Sequence, residues 1–92
     1  MAAADPLAAE LERALARGER VAIATVRSGP WTGNRLLVWP GGEALGDLGA
    51  PRLNQRVALH AEALLERGGG STRKPFDHLG QPVEVEVAVQ GD

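Results

Sequence analysis

Hydrophobic positions along this chain change their period several times, and each change marks an element. Leu7, Leu11, Ala14 and Leu15 recur at helical spacing, with Glu10, Glu12, Arg13 and Arg17 on the other side, which predicts a helix over residues 6–17. Asp5 offers an N-cap acceptor, Pro6 lacks an N–H where none is needed, and Gly18 stands at the C′ position. Residues 21–26 (VAIATV) are apolar on both faces and rich in β-branched side chains, the pattern of a central strand covered on both sides or against a helix. Residues 35–39 read as a second strand, Pro40-Gly41-Gly42 as a turn, and residues 43–46 as a short third strand, together a β-hairpin.

Pro51 then opens a second helix with Leu53, Val57, Ala61 and Leu64 as its inner stripe. Gly68 stops it, and Gly68-Gly69-Gly70 with Ser71 reads as a mobile joint. Residues 71–76 are a candidate extended segment that Pro75 confines to a sheet edge. The clearest β signal comes last: Val83, Val85, Val87 and Val89 alternate with Glu84, Glu86 and Ala88, one core face and one wet face. This strand should pair with residues 21–26 or lie next to them. The expected fold is α/β in the sense of an α+β two-layer sandwich, a mixed four- to five-stranded sheet with two helices mainly on one face.

Ninety-two residues make one domain with one modest core. A net charge of −2 and a pI near 5.6 count against nucleic-acid binding by phosphate neutralisation. No apolar run approaches the ~20 residues a bilayer requires. The absence of cysteine excludes disulfides, thiolate metal sites and cysteine nucleophiles. Met1-Ala2-Ala3-Ala4 lacks the basic and apolar parts of a targeting segment, so the cytoplasm is the expected location. Nine Arg against one Lys, one Met and no Cys give a GC-rich, thermophile-like composition.

Few residues carry candidate chemistry. His60 lies at the border of the second helix's inner stripe and reads as a half-buried core histidine, while His78 falls in a surface turn. Neither has the partner spacing of a metal site. Ser28 and Ser71 lie in Gly-rich turns without an adjacent His, and Glu84 and Glu86 read as a solvated strand face, so no catalytic group is assigned. The segment Gly46-Asp47-Leu48-Gly49-Ala50-Pro51 is more informative. It leads into a helix N-terminus whose N-cap, Ala50, has no side-chain acceptor, and free N–H groups there favour an anion. Two readings stand: Asp47 folds back to cap the helix, or a phosphate, sulfate or carboxylate binds among Arg35, Asp47, Gly49, Arg52 and Asn54. Trp31, in the Gly29-Pro30-Trp31-Thr32-Gly33 turn, either folds over the adjacent helix or contacts another chain or a ligand. With an unpaired edge near Pro75, it leads to the expectation of a homodimer that buries Trp31.

The run Glu19 to Val26, then Gly33 to Val38, then Gly46 to Leu53 resembles the N-terminal domain of the XdhC/CoxI family, accessory proteins of xanthine dehydrogenase and carbon monoxide dehydrogenase. Gly18-Glu19 through Val26, Arg35-Leu36-Leu37-Val38 and Val83-Glu84-Val85 carry the likeness. Trp31 stands about where the family has Arg, Gly49-Ala50-Pro51 replaces its triple glycine, Asn54 its Glu, and Gly80-Gln81-Pro82 its Cys-Gly-Gly. The family's Rossmann domain has no counterpart in these residues. The resemblance implies an α/β module and a role in holding molybdenum cofactor, and molybdopterin enters on that ground alone. The expectation is a small non-enzymatic binding or accessory module with a protein or anionic partner. The alternative is a cofactor-handling accessory of a molybdenum hydroxylase.

Overall fold

The computed structural model describes residues 6–91. In chain order the elements are α1 (Pro6–Ala16), β1 (Val21–Val26), β2 (Arg35–Val38), β3 (Ala44–Gly46), α2 (Pro51–Glu66), β4 (Ser71–His78) and β5 (Gln81–Gln90). The N-cap expected at Asp5 lies outside the described residues. The fold is α+β, and the strands form one sheet in the order β3-β2-β1-β5-β4. β1 is central, as its two apolar faces predict. It pairs with β2 on one side and with β5 on the other, Ala24 opposite Leu36 and Val87 respectively.

Two expectations need correction. The sheet is antiparallel throughout and not mixed. β3 and β4, joined by α2, run in the same direction, but three strands separate them, so the helical crossover creates no parallel pair. The helices also lie on opposite faces of the sheet. Ala22, Ala24 and Val26 of β1 pack with Leu36, Val38, Val85 and Val87 under Leu53, Val57, Ala61 and Leu64 of α2. The alternate positions Val21 and Ile23, with Leu37, meet Leu7, Leu11 and Ala14 of α1, and Trp39 closes that cluster. A helix stripe shows that one side is buried without showing which sheet face receives it. The bulk of Val21 and Ile23 is what requires a second cover.

β4 is longer than residues 71–76 and ends in a tight turn at Leu79-Gly80. It is an edge strand, as Pro75 predicts. The Val89 N–H donates to the Gly70 carbonyl at 2.9 Å, which fixes the ladder's parity and turns the main chain of residues 71, 73, 75 and 77 outward. Pro75, which has no N–H, therefore sits where a donor would otherwise invite another strand. On the face of β5 away from α2, Arg73 pairs with Glu84 at 3.1 Å and Arg27 with Glu86 at 2.8 Å, the wet face that the Val–Glu alternation predicts. After α2, the Gly69 N–H donates to the Leu64 carbonyl at 2.9 Å, so the glycine run begins by closing the helix.

Candidate functional site

The segment between β3 and α2 is organised around Leu48, a lone hydrophobe that is fully buried. Its main chain is held from two sides: its N–H donates to Asn54 Oδ1 at 2.8 Å, and its carbonyl accepts from Asn34 Nδ2 at 3.2 Å. Asp47 Oδ1 accepts from the Gly49 N–H at 2.9 Å and from Asn54 Nδ2 at 3.0 Å. These bonds, led by the one from Asn54, hold the Asp47 carboxyl below its ordinary range. Asp47 thus folds back onto the segment, but it does not cap α2. Ala50 occupies the N-cap with extended backbone and no side-chain hydrogen bond to the helix, and Pro51 follows. The first amides of α2 therefore have no side-chain acceptor.

Of the five residues predicted for an anion site, Asp47, Gly49 and Asn54 come together. Arg35 does not join them. It stands two positions from Leu37, which faces α1, so strand alternation places it on the sheet face opposite α2. Arg52 lies on the outer side of the first turn of α2 and lines a cleft of about 320 Å³ with Arg56, Asp77, His78 and Leu79. The Arg56 guanidinium is fixed there by donating from Nη1 to the Asp77 carbonyl at 2.6 Å. Sequence reading missed Arg56, His78 and Leu79 as neighbours of Arg52. The readable signal was the four-residue spacing of Arg52 and Arg56, which puts both on one side of a helix.

Trp31 joins the two halves of this region. Its indole packs against the Gly49 backbone, where a Cβ would fall within the ring, and meets the His78 imidazole edge-on at 5.3 Å between centroids. The indole is half-buried at the margin of the larger core cluster and does not project freely from its turn. Glycine at position 49 leaves a flat seat that the ring fills, which favours inward packing for the packed half of the indole.

The two histidines differ. His60 is half-buried between α2 and β4, its Nε2 at 2.7 Å from Thr72 Oγ1 and its ring edge-on to Phe76 at 5.8 Å. Burial, then Lys74 and Arg67, push its pKa down. It is the packed histidine its position predicts. Ser28 Oγ accepts from the Glu84 N–H at 2.9 Å, a structural bond between the β1–β2 connection and β5. Among the described residues, no three His, Asp or Glu side chains are grouped so as to hold a metal ion. A larger concavity, about 690 Å³, opens beside α1 between Glu10, Arg17, Arg20, Trp39 and Leu45. Part of its charged wall is paired within itself: Glu19 accepts from Arg17 Nε and from Trp39 Nε1, each at 2.9 Å, whereas Arg20 Nε is buried without a hydrogen-bond partner among the described residues. The Arg17 bond chiefly lowers the Glu19 pKa.

No helix among the described residues is long and apolar enough to cross a membrane. None of the curated proteins compared with the chain matches it. The family comparison does match, over residues 14–75, from the end of α1 through β1, β2, β3 and α2 into β4. That span covers about two thirds of the chain, including the buried Leu48 segment and the Arg52–Arg56 side of the cleft. By this match, the chain belongs to the XdhC and CoxI family.

Proposed function

We propose that this chain is a non-enzymatic binding module, an accessory component that seats an anionic group against the first turns of α2. One observation carries the reading: the N-terminus of α2 has no side-chain cap, and Arg52 and Arg56 stand beside it in a cleft with His78. Unpaired helix amides and two guanidiniums are a donor set for phosphate or carboxylate. Asp47 is tied to Gly49 and Asn54 and leaves these donors to a ligand. Membership of the family supports the accessory part of the reading. In the test, inorganic phosphate is titrated while Trp31 fluorescence is followed, since that indole touches both Gly49 and His78. Saturable quenching that Arg52→Gln weakens at least tenfold is expected. An unchanged spectrum at high millimolar phosphate overturns the reading.

A second reading, handling of molybdenum cofactor for a hydroxylase, is favoured by the family. The residues present suit the phosphate end of molybdopterin, through Arg52 and Arg56. They do not fit the rest: the described residues include no buried polar or charged side chain to read a pterin. Titration with molybdopterin separates the readings, and absence of Trp31 quenching at high micromolar ligand removes the second. A homodimer that covers the open half of the Trp31 indole belongs to the same proposal. Light scattering should give twice the chain mass, falling to one chain in Trp31→Ala, and a monodisperse monomer at high concentration ends it.

A further inference from the structure

The tip of the β4–β5 hairpin is built against local preference. Leu79 and Gly80 form its two-residue loop, and both have positive φ, 51° and 80°. Such loops favour Asn, Asp or Gly at the first position, because a Cβ there crowds the backbone. Leu79 is the one non-glycine residue with positive φ among those described, and it is 82% exposed. Two penalties thus fall on one residue, an unfavourable backbone well and a large apolar side chain in water. Asparagine would remove both. Local rules are broken in this way where a residue serves something other than the fold.

The surroundings point to what it serves. Leu79 lines the same cleft as Arg52 and Arg56. Leu59, three residues beyond Arg56 on the outer side of α2, is 67% exposed. Two exposed leucines therefore flank two guanidiniums on a chain whose net charge is −2. The Arg56 guanidinium is already oriented by the Asp77 carbonyl, so little order is lost when it meets a carboxylate. Leu79 stands at the wall of this cleft with 82% of its surface exposed, so a small molecule seated among the guanidiniums would cover little of it, whereas a larger partner could. An isologous contact between two copies centred here would set Arg52 and Arg56 against themselves.

We infer that the Leu79 tip and the outer side of α2 form a docking surface for a partner protein that offers an apolar pocket rimmed by carboxylates. Leu79 is the anchor, Arg52 and Arg56 take the acidic rim, and Leu59 extends the contact along the helix. The inference rests on the anion seat proposed above and assigns its anion to a polypeptide. The test uses the full chain labelled with ¹⁵N and two synthetic peptides, one with leucines flanked by glutamates and one with lysines in their place, with inorganic phosphate as a third probe. The acidic peptide is expected to shift the amides of Arg52, Arg56, Leu59 and Leu79, and the lysine peptide to leave them in place. Leu79→Asn, which suits the loop and should fold at least as well, should weaken the acidic peptide tenfold or more and leave phosphate binding unchanged. Phosphate binding without acidic-peptide binding overturns this inference and spares the anion seat, whereas failure of both probes overturns both. Equal binding of the two peptides, or undiminished binding to Leu79→Asn, also overturns it. So does a homodimer that Leu79→Asn dissociates, because the occupant is then a second copy.

Discussion

Trp31 rests against Gly49 so closely that any side chain at position 49 would have to displace the indole. Gly49 also has φ +135°, a conformation that L side chains rarely adopt. Gly49→Ala should therefore cost about 1–3 kcal/mol, from backbone strain and displaced packing together. The displaced indole should emit at longer wavelength. Chemical denaturation and the Trp31 emission maximum check both parts.

Of the two amide side chains that hold the Leu48 segment, Asn54 makes two of the bonds. Asn54 accepts from the Leu48 N–H and donates to Asp47, so Asn54→Ala leaves the Leu48 N–H without its acceptor and the Asp47 carboxylate with the Gly49 N–H alone. The expected loss is about 1–3 kcal/mol, read by thermal or denaturant unfolding.

Much of this arrangement was legible before the structure. Residues 21–26 are apolar on both faces, and that placed β1 at the centre. The Val–Glu alternation of residues 83–89 set the valines of β5 inward, its expected place at or next to residues 21–26 is the pairing observed, and Pro75 marked β4 as an edge. What stayed hidden depended on parity or on backbone angles. Arg35 was expected at the anion site with Asp47, but its two-residue distance from Leu37 puts it on the opposite sheet face. Leu48 carries no periodic signal, because a single hydrophobe in a loop reads the same whether it anchors the loop or not. The strain at Leu79 follows from pairing His78 with Gln81, a register that two adjacent strands and a Leu-Gly dipeptide only hint at.

Val85 tests the sheet order. It is fully buried and pairs with Val26 on one side and Lys74 on the other. Val85→Asp places an unpaired charge under α2 and should abolish cooperative unfolding, and Val85→Ala should cost about 2–3 kcal/mol. A Val85→Asp protein that melts like wild type would refute the placement of β5.

His60 should make stability depend on pH. Its folded-state pKa lies below the ordinary value of 6.5, so the unfolded chain takes up its proton first. Stability is then constant above about pH 7 and declines as pH falls through 6.5 towards the lower folded value. His60→Gln should flatten this part of the profile. Asp47 and Glu19, also with lowered pKa, act in a separate and more acidic window: their contribution is present above their ordinary values and is lost as pH falls through the folded ones. Melting temperatures measured from pH 8 to pH 3 resolve the two declines.

The claim that α2 begins in an anion seat is most directly tested by titrating the ¹⁵N-labelled chain with inorganic phosphate and following its backbone amides. Saturable shifts centred on Arg52, Leu53 and Arg56, weakened at least tenfold in Arg52→Gln, are the predicted result. Shifts spread evenly over the surface, or none at high millimolar phosphate, would contradict it.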